Sequence, residues 1–399
     1  MKKVAIIGGG AAGMMAAAVL AERGGFEIIL FEKNDDLGRK VKISGGGRCN
    51  VTTGLEDLKE VLSAYPRGPK FFRTALYEFS PGKIQEWFEA HGVELKTEKD
   101  MRVFPISDNG KDVVGAFEKI FEKNGVKVLF NKKVESVEKE GDAFLLNGEL
   151  KFDVVMLTTG GQAYRHTGSE GDGYNIAESL GHSITKLGPS LNSFMVSDQF
   201  AKNLSGVSFG KVRLKMAGQE FEGPIIFTHK GVSGPATFAL SSLCAFEKIT
   251  PQAPLEMRID FCPDESYESL REEFMKEPQK NLSTLMAQKT TKSFVREYCA
   301  AHSLDFDKKI QDAGKKNINK AIEALKNTKL SVGARLPGDE FVTAGGIELK
   351  EVDSKTMQSR ICPGLYFAGE ILNIDGFTGG YNLQVAWATG ALAGSKIEI

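Results

Sequence analysis

Lys3-Val4-Ala5-Ile6-Ile7-Gly8-Gly9-Gly10-Ala11-Ala12-Gly13 opens the chain as a short apolar run that breaks into a glycine triplet and continues as the alanine-rich stretch Met14-Met15-Ala16-Ala17-Ala18. That order predicts a buried parallel strand, a tight turn and a helix that Gly24-Gly25 stops. Gly8 permits the turn, Gly10 lets backbone approach a pyrophosphate, and Gly13 lets the helix pack on the strand. Ala11 and Ala12 then supply first-turn N–H groups at the positive end of the helix, where a phosphate is held. A second apolar run over residues 26–31 ends in Glu32 and Lys33. Glu32 stands ~20 residues past the last glycine, the place of a ribose-diol acceptor in a dinucleotide fold. Strand, turn, helix, strand and acid in this order predict a bound dinucleotide.

The other end of the chain decides which dinucleotide. Gly364-Leu365-Tyr366-Phe367-Ala368-Gly369-Glu370 is a short strand closing on an acid, and Gly379-Gly380-Tyr381-Asn382-Leu383 opens a final helix. A nicotinamide dehydrogenase needs no second phosphate-and-ring station there. An extended FAD does: Gly369 and Glu370 would hold its ribityl or pyrophosphate-side hydroxyls, and the helix starting at Gly380 would aim its positive end at the flavin N1/C2=O edge. Between the two ends, the loop of residues 34–50 carries Arg39, Lys40, Ser44, Gly46, Arg48, Cys49 and Asn50, two basic pairs and a glycine triplet suited to wrapping a pyrophosphate beneath a flavin. A solvated glycine loop is the plainer alternative.

Bulk composition narrows the function classes. Lys and Arg total 51 against 52 Asp and Glu, so no net field recruits nucleic acid or a membrane. No apolar stretch reaches the ~20 residues of a membrane span, and the start lacks a signal-peptide pattern, so the expected location is cytoplasmic. Five scattered cysteines, Cys49, Cys244, Cys262, Cys299 and Cys362, suggest neither a disulfide framework nor a metal cage, and the absence of a paired Cys-x-x-Cys argues against a disulfide reductase.

Along the chain, residues 55–91 look helical with breaks at Pro66 and Pro81, and residues 112–124 form an amphipathic helix leading into a strand at 125–130. Residues 134–146 alternate as a hairpin, with Val134 at its start beside the cofactor. Residues 154–157 form a buried strand entering Thr159-Gly160-Gly161, which returns the chain beside the first glycine turn. Asp172 is a candidate N-cap for the helix that follows. The fold class is α/β, with a Rossmann-like FAD-binding domain of parallel sheet plus β-meander, made of residues 1–190 and 336–399. It is interrupted by an inserted domain, residues 191–335, β-rich to 262 and helical over 263–330. Between Lys308 and Lys329 seven lysines face two acids, which reads first as a solvated helix face and second as an RNA contact.

Several strings carry a family resemblance: Gly38-Arg39-Lys40, Ser44-Gly45-Gly46-Gly47-Arg48-Cys49-Asn50-Val51-Thr52, Arg102-Val103-Phe104-Pro105, Thr167-Gly168-Ser169 with Gly171-Asp172-Gly173-Tyr174, Phe227-Thr228-His229 with Gly231 and Ser233-Gly234-Pro235, Thr343-Ala344-Gly345-Gly346, and residues 364–382. On these the chain resembles the HI-type conserved flavoproteins, the BaiN/RdsA or YhiN family of NAD(P)/FAD-dependent oxidoreductases. It departs from them at Asn192-Ser193-Phe194, where the family tends to carry a proline. The resemblance implies a two-part FAD domain with a small β-plus-helical insertion, FAD as cofactor, and NAD(P)H as a transient co-substrate. One branch is similar to bile-acid-pathway reductases acting on steroid enones.

A flavin beside a groove transfers hydride at N5, so the protein must position a small, apolar organic substrate and one proton donor. His229, in a Gly/Ser/Pro loop of the inserted domain, is the candidate catalytic donor or substrate clamp. A histidine hydrogen-bonded to its own loop is the alternative. Tyr381 is a second candidate, and Cys49 beside Arg48 is a redox thiol or packed core. Three classes stay open: a flavoprotein oxidoreductase of a small molecule, an RNA-binding or RNA-modifying flavoprotein, and a flavin sensor without turnover. No metal site, nucleic-acid partner or membrane partner is expected.

Overall fold

The computed structural model describes residues 1–338 and 340–398. The chain divides into two compact units, Met1–Gly188 with Phe341–Ile399, and Pro189–Glu340.

In the first unit, among the described residues, a sheet runs from edge to edge as Leu365–Phe367, Val154–Leu157, Lys2–Ile7, Phe26–Phe31 and Lys127–Leu129. All neighbours are parallel, with Ile7 opposite Phe31 and Leu157, Leu157 opposite Phe367, and Phe31 opposite Leu129. The strands are nearly unbroken apolar runs because both faces are covered. Their carboxyl ends therefore line up, and Gly8, Glu32, Thr158 and Ala368 all leave the sheet at one edge. This is the Rossmann arrangement, with ligands expected outside the carboxyl ends.

The opening helix, Ala11–Arg23, has no polar face over most of its length. Ala12, Gly13, Met14, Met15, Ala16, Ala17, Ala18 and Leu20 are all buried, since the sheet lies on one side and the closing helix, Tyr381–Lys396, on another. Small residues are what let the two helices meet: a Cβ on Gly390 would stand 2.4 Å from the Ala12 carbonyl oxygen, and one on Gly394 2.8 Å from that of Ala16. Residues 55–91 form Leu58–Ser63, Pro69–Glu78 and Pro81–Ala90. The chain breaks between helices around Pro66 and again just before Pro81, which takes the first position of the next helix because that position needs no N–H, with Ser80 as its N-cap.

The second unit closes a β-barrel in the order Phe194–Val196, Gly231–Ser233, Gln219–Phe227, Ser208–Met216, Leu255–Asp260 and Thr328–Arg335. Helices Tyr267–Met275, Leu282–Lys289, Lys292–His302 and Ile310–Lys326 come before the last strand. The helical reading of residues 263–330 thus ends early. Thr328, Leu330 and Val332 alternate inward, and this strand pairs with Leu255–Asp260 across the whole helical excursion. On the lysine-rich helix Ile318, Ala321, Ile322 and Leu325 are buried. Lys315, Lys316 and Lys320 are exposed, whereas Lys326 turns in to Asp260 at 2.7 Å.

One polar knot in the first unit's core sets a pH limit. His182 is buried edge-to-face on Phe367, with Nε2 2.8 Å from Ser359 Oγ. That oxygen accepts the N–H groups of Ile361 and Cys362, so its own proton goes to Nε2 and the ring hydrogen sits on Nδ1. Nδ1 lies 3.2 Å from Glu351 Oε2 but off the hydrogen-bonding direction. Burial holds His182 below its ordinary 6.5, outweighing the pull of Glu351. The unfolded chain takes up that proton near 6.5 and the folded one does not, so this contribution is complete above 6.5 and drains as pH falls below it. Thermal melts from pH 8 to pH 5.5 should show wild type losing Tm faster than His182→Gln. Parallel pH profiles would show that His182 titrates no differently in the two states.

Candidate functional site

At the carboxyl edge, Gly8 N–H donates to Phe31 O at 2.9 Å and Thr158 Oγ donates to the carbonyls of Ile7 and Gly8, bracing the glycine turn between two strands. Gly13 is locked: a Cβ there would lie 2.0 Å from Gly8 O and 2.6 Å from Thr158 Oγ1. Gly10, at the helix N-cap, is the opposite case, since a Cβ there meets nothing within 4 Å. The first-turn N–H groups of Ala11, Ala12 and Gly13 have no partner within the helix, so the open space above Gly10 has the donors and the room to take an anion.

Glu32, 7% exposed, ends the second strand. Its Oε2 accepts from Gly9 N at 2.8 Å, and its Oε1 accepts from the backbone N–H and side-chain amide of Asn34. Three bonds leave a carboxylate room for about one more donor, which is what a ribose hydroxyl requires. Lys33 turns to Asp172 at 2.5 Å and Glu170 at 2.8 Å, and Lys133 adds to Asp172 at 3.2 Å. Asp172 is accordingly not the N-cap of its helix. That position is Gly171, with φ 88°, and Asp172 is the first helical residue, spent on the two lysines. Val134 is buried before the hairpin sheet of Val137–Glu140, Ala143–Leu146 and Leu150–Phe152.

The second station gathers at the same edge. Glu370 accepts from Thr343 N at 2.8 Å and from Lys40 Nζ at 2.7 Å, and Thr343 Oγ1 accepts from Gln162 N at 2.6 Å. A Cβ on Gly161 would fall 2.4 Å from Thr343 Oγ1 and 3.0 Å from Glu370 Oε1, so Thr159-Gly160-Gly161 and Gly369-Glu370 pack directly on each other. Thr159 Oγ1 and the Tyr174 hydroxyl are buried with no hydrogen-bond partner among the described residues. Burial, with Glu370 nearby, pushes the Tyr174 hydroxyl well above its usual pKa. Tyr174 also lines a cavity of about 240 Å³ with Gln162, Asp172, Asn175 and Glu178. Two orphaned hydroxyls and an open helix N-terminus between two carboxylates fit a polar, phosphate-bearing ligand.

The closing turn completes this edge. Gly380, at φ 91°, caps the final helix, and a Cβ there would collide at 2.4 Å with the Thr52 backbone. Thr52 Oγ1 donates to Gln384 Oε1 at 2.6 Å, and Trp387 Nε1 donates to Val51 O at 3.0 Å, so Asn50-Val51-Thr52 is sewn to this helix. Asn382 folds its amide back onto Gly376 and Phe377, while Tyr381 meets Tyr65 edge-to-face and Leu383 packs on the core.

The remaining loop residues divide by partner. Ser44 Oγ donates to Val41 O and Asn50 Oδ1 accepts from Val103 N, while Gly46 projects into open space. Arg48 is engaged with Glu98 at 2.7 Å and Asp108 at 3.3 Å over the Phe104 ring, and Arg39 with Asp35 at 2.5 Å. Cys49 is fully buried at φ 62°, and burial pushes its thiol up to about 12, which suits packing and not thiolate chemistry. His229 lies in the second unit, exposed in the turn closed by Thr228 and Gly231, and its ring has no hydrogen bond among the described residues. Tyr174, Thr343 and Gln162 were missing from the sequence candidates. Tyr174 and Thr343 sat in motifs already singled out, but only the burial of the Tyr174 hydroxyl without a partner among the described residues, and the bond from Thr343 N to Glu370, bring them out as candidates.

A family model described as the HI0933-like protein Rossmann domain matches residues 2–396. The chain is similar to the 3-dehydro-bile acid delta(4,6)-reductase of Clostridium scindens, 31% identical over 99% of this chain and 98% of the relative. It is also similar to the ribosomal RNA dihydrouridine synthase of Escherichia coli, 31% identical over 96% of this chain and 95% of the relative. Among solved structures, the 3-ketosteroid delta1-dehydrogenase of Sterolibacterium denitrificans aligns over 99% of both chains at 14% identity with a TM-score of 0.49.

The two glycines give opposite expectations. Gly13→Ala forces backbone apart and should lower stability by roughly 1–3 kcal/mol, the scale of overpacking. Gly10→Ala meets no atom of the protein and should cost at most about 1 kcal/mol of capping, yet should weaken dinucleotide binding at least about tenfold. Melting curves and a binding titration read the two effects separately. A Gly10→Ala protein with undiminished affinity would move the ligand away from this turn.

Proposed function

Since the chain belongs to the HI0933-like Rossmann family, we propose that it is an FAD-dependent oxidoreductase that saturates a carbon–carbon double bond conjugated to a carbonyl. The observation that carries the cofactor is the pairing of two stations at one sheet edge: the Gly8–Gly13 turn with Glu32, and Glu370 with the N-terminus of the closing helix. An FMN would leave the Glu32 station without a ligand. Nicotinamide alone would leave Glu370 and the closing helix without one.

When bound, FAD supplies hydride at N5. The chain's own residues do the rest. Glu32 accepts a ribose hydroxyl with its remaining lone pair, and the Ala11–Gly13 N–H groups hold the pyrophosphate. Glu370, kept in place by Thr343 and Lys40, takes ribityl hydroxyls, and Thr159 and Tyr174 gain the partners they lack. The Gly380-capped helix would offer its positive end to the ring edge where charge gathers on reduction. Hydride adds to the β-carbon of the substrate double bond and a proton to the α-carbon, which removes the double bond and restores the carbonyl. His229 is the proposed proton donor, as an exposed imidazole with no hydrogen bond among the described residues. NAD(P)H is the proposed hydride source.

The relatives support this reaction type. The bile-acid enzyme is named for reducing 4,6 double bonds of a 3-oxo steroid, and the ribosomal enzyme for converting uridine to dihydrouridine. Both saturate a ring double bond conjugated to a carbonyl. A small apolar molecule is the substrate proposed here. RNA is the second reading, favoured by the exposed Lys315, Lys316 and Lys320 and by the ribosomal relatives. A salt-dependent shift of bulk RNA separates the two.

Purified protein should be yellow and release FAD, not FMN, on denaturation, and anaerobic mixing with NADH or NADPH should bleach the flavin. Colourless protein that cannot be reconstituted with FAD ends the cofactor reading. His229→Asn should keep FAD content and nicotinamide-driven bleaching while slowing turnover of the organic substrate by about 10²–10⁴-fold, the contribution of a general acid. Unchanged turnover would transfer the proton to Tyr381 or to water.

A further inference from the structure

Glu32, at the end of the second strand, is held by three donors that divide unequally between its two oxygens. Oε1 accepts twice from Asn34, from the backbone N at 2.8 Å and from Nδ2 at 2.7 Å, whereas Oε2 accepts once, from Gly9 N at 2.8 Å. Each carboxylate oxygen has two lone-pair directions. Oε1 is therefore filled, and the acceptor position left on this carboxylate belongs to Oε2. That oxygen lies against the glycine turn, since a Cβ on Gly9 would stand 3.0 Å from it.

Asn34 is fixed from the other side as well. Its Nδ2 also donates to Thr167 O at 3.1 Å, and its own carbonyl accepts from Asn131 N at 2.9 Å. Thr167 is anchored in turn by its N–H and its Oγ1, which donate to Tyr164 O at 2.8 Å and 2.7 Å. Gly168, at φ 97°, comes so near that a Cβ there would stand 2.5 Å from Asn34 Nδ2 and 3.1 Å from Lys33 Cε. The amide nitrogen thus sits between a carboxylate and a carbonyl, with one hydrogen for each. An ionised Asp has no hydrogen to give there and a Ser has only one.

We propose that Asn34 is a positioning residue that closes Oε1 and leaves Oε2 as the one seat for a ribose hydroxyl, so that the adenosine half of the ligand is recognised through a single hydroxyl of its diol. This rests on the dinucleotide reading of the Gly8–Gly13 turn and Glu32. Removing the amide opens a second seat on Oε1, because only the backbone N–H of residue 34 then remains there. Both hydroxyls then have an acceptor, and neither is singly required.

The test is calorimetric titration of the full chain, freed of bound nucleotide, with ADP, 2′-deoxy-ADP and 3′-deoxy-ADP, thermal melts being recorded alongside. Wild type should lose at least about tenfold in affinity with one deoxy analogue, the scale of a hydrogen bond to a charged acceptor, and less than about threefold with the other. In Asn34→Ala the two losses should come within about threefold of each other, because either hydroxyl can take the open oxygen. A residue that merely holds its loop would lower the melting temperature and weaken all three ligands alike, with the wild-type contrast between the analogues kept in Asn34→Ala, and that result overturns the proposal. If Asn34→Ala does not fold, wild type decides alone, equal losses with the two analogues or no loss with either overturning the proposal. Wild type with no affinity for ADP overturns the dinucleotide reading and this inference together, whereas wild type that binds ADP and treats the two analogues alike overturns only the role of Asn34.

Discussion

The contact on which the first unit depends is the close approach of the opening and closing helices. Gly390 and Gly394 lie against the carbonyls of Ala12 and Ala16, and Gly369 against the Ala12 side chain. Larger residues at these places would drive the helices apart by more than a packed interior tolerates. Because the helices touch, the turn after the first strand and the turn before the last helix end at one sheet edge, although nearly the whole chain separates them. Parallel pairing of Leu365–Phe367 with Val154–Leu157, and of that strand with Lys2–Ile7, then brings Glu370 and Glu32 out on the same side.

Around that edge nearly every charge has its partner. Glu32 is held by backbone and amide donors, Glu370 by Thr343 and Lys40, and Asp172 by two lysines. Residues so constrained do not swing to meet a ligand, so a ligand must fit the arrangement it finds, which is the meaning of preorganisation. The exceptions are the hydroxyls of Thr159 and Tyr174, buried without a partner among the described residues, a costly state that a bound polar group would relieve. Burial also sorts the reactive side chains. It silences Cys49, whose thiol is enclosed and shifted upward, and leaves His229 on the surface of its turn.

In the second unit the decisive pairing is again non-local. Strand Thr328–Arg335 closes the barrel against Leu255–Asp260 and Phe194–Val196. The lysine-rich helix just before it has an apolar stripe toward that barrel and its lysines outward, with Lys326 bent inward to Asp260 and the carbonyls of Cys262 and Glu265.

Strand, glycine turn, helix and Glu32 were legible in the amino-acid sequence because each rests on local chemistry: apolar runs, glycines where a Cβ would collide, an acid at a strand end. The family strings and the closing Gly-Gly-Tyr-Asn were legible for the same reason. Other features depend on residues far apart in the chain. Asp172 reads locally as a cap but is drawn to Lys33 and Lys133. Residues 328–330 follow a helix and read as its tail, yet they open the strand Thr328–Arg335, whose partners make it part of a barrel. Tyr174 lies in a family string, yet nothing local marks its hydroxyl as buried without a partner among the described residues. Local sequence determines conformations whose energies are settled within a few residues. Only the tertiary structure decides which polar groups are paired, enclosed or left waiting, because desolvation and charge pairing act through space and not along the chain.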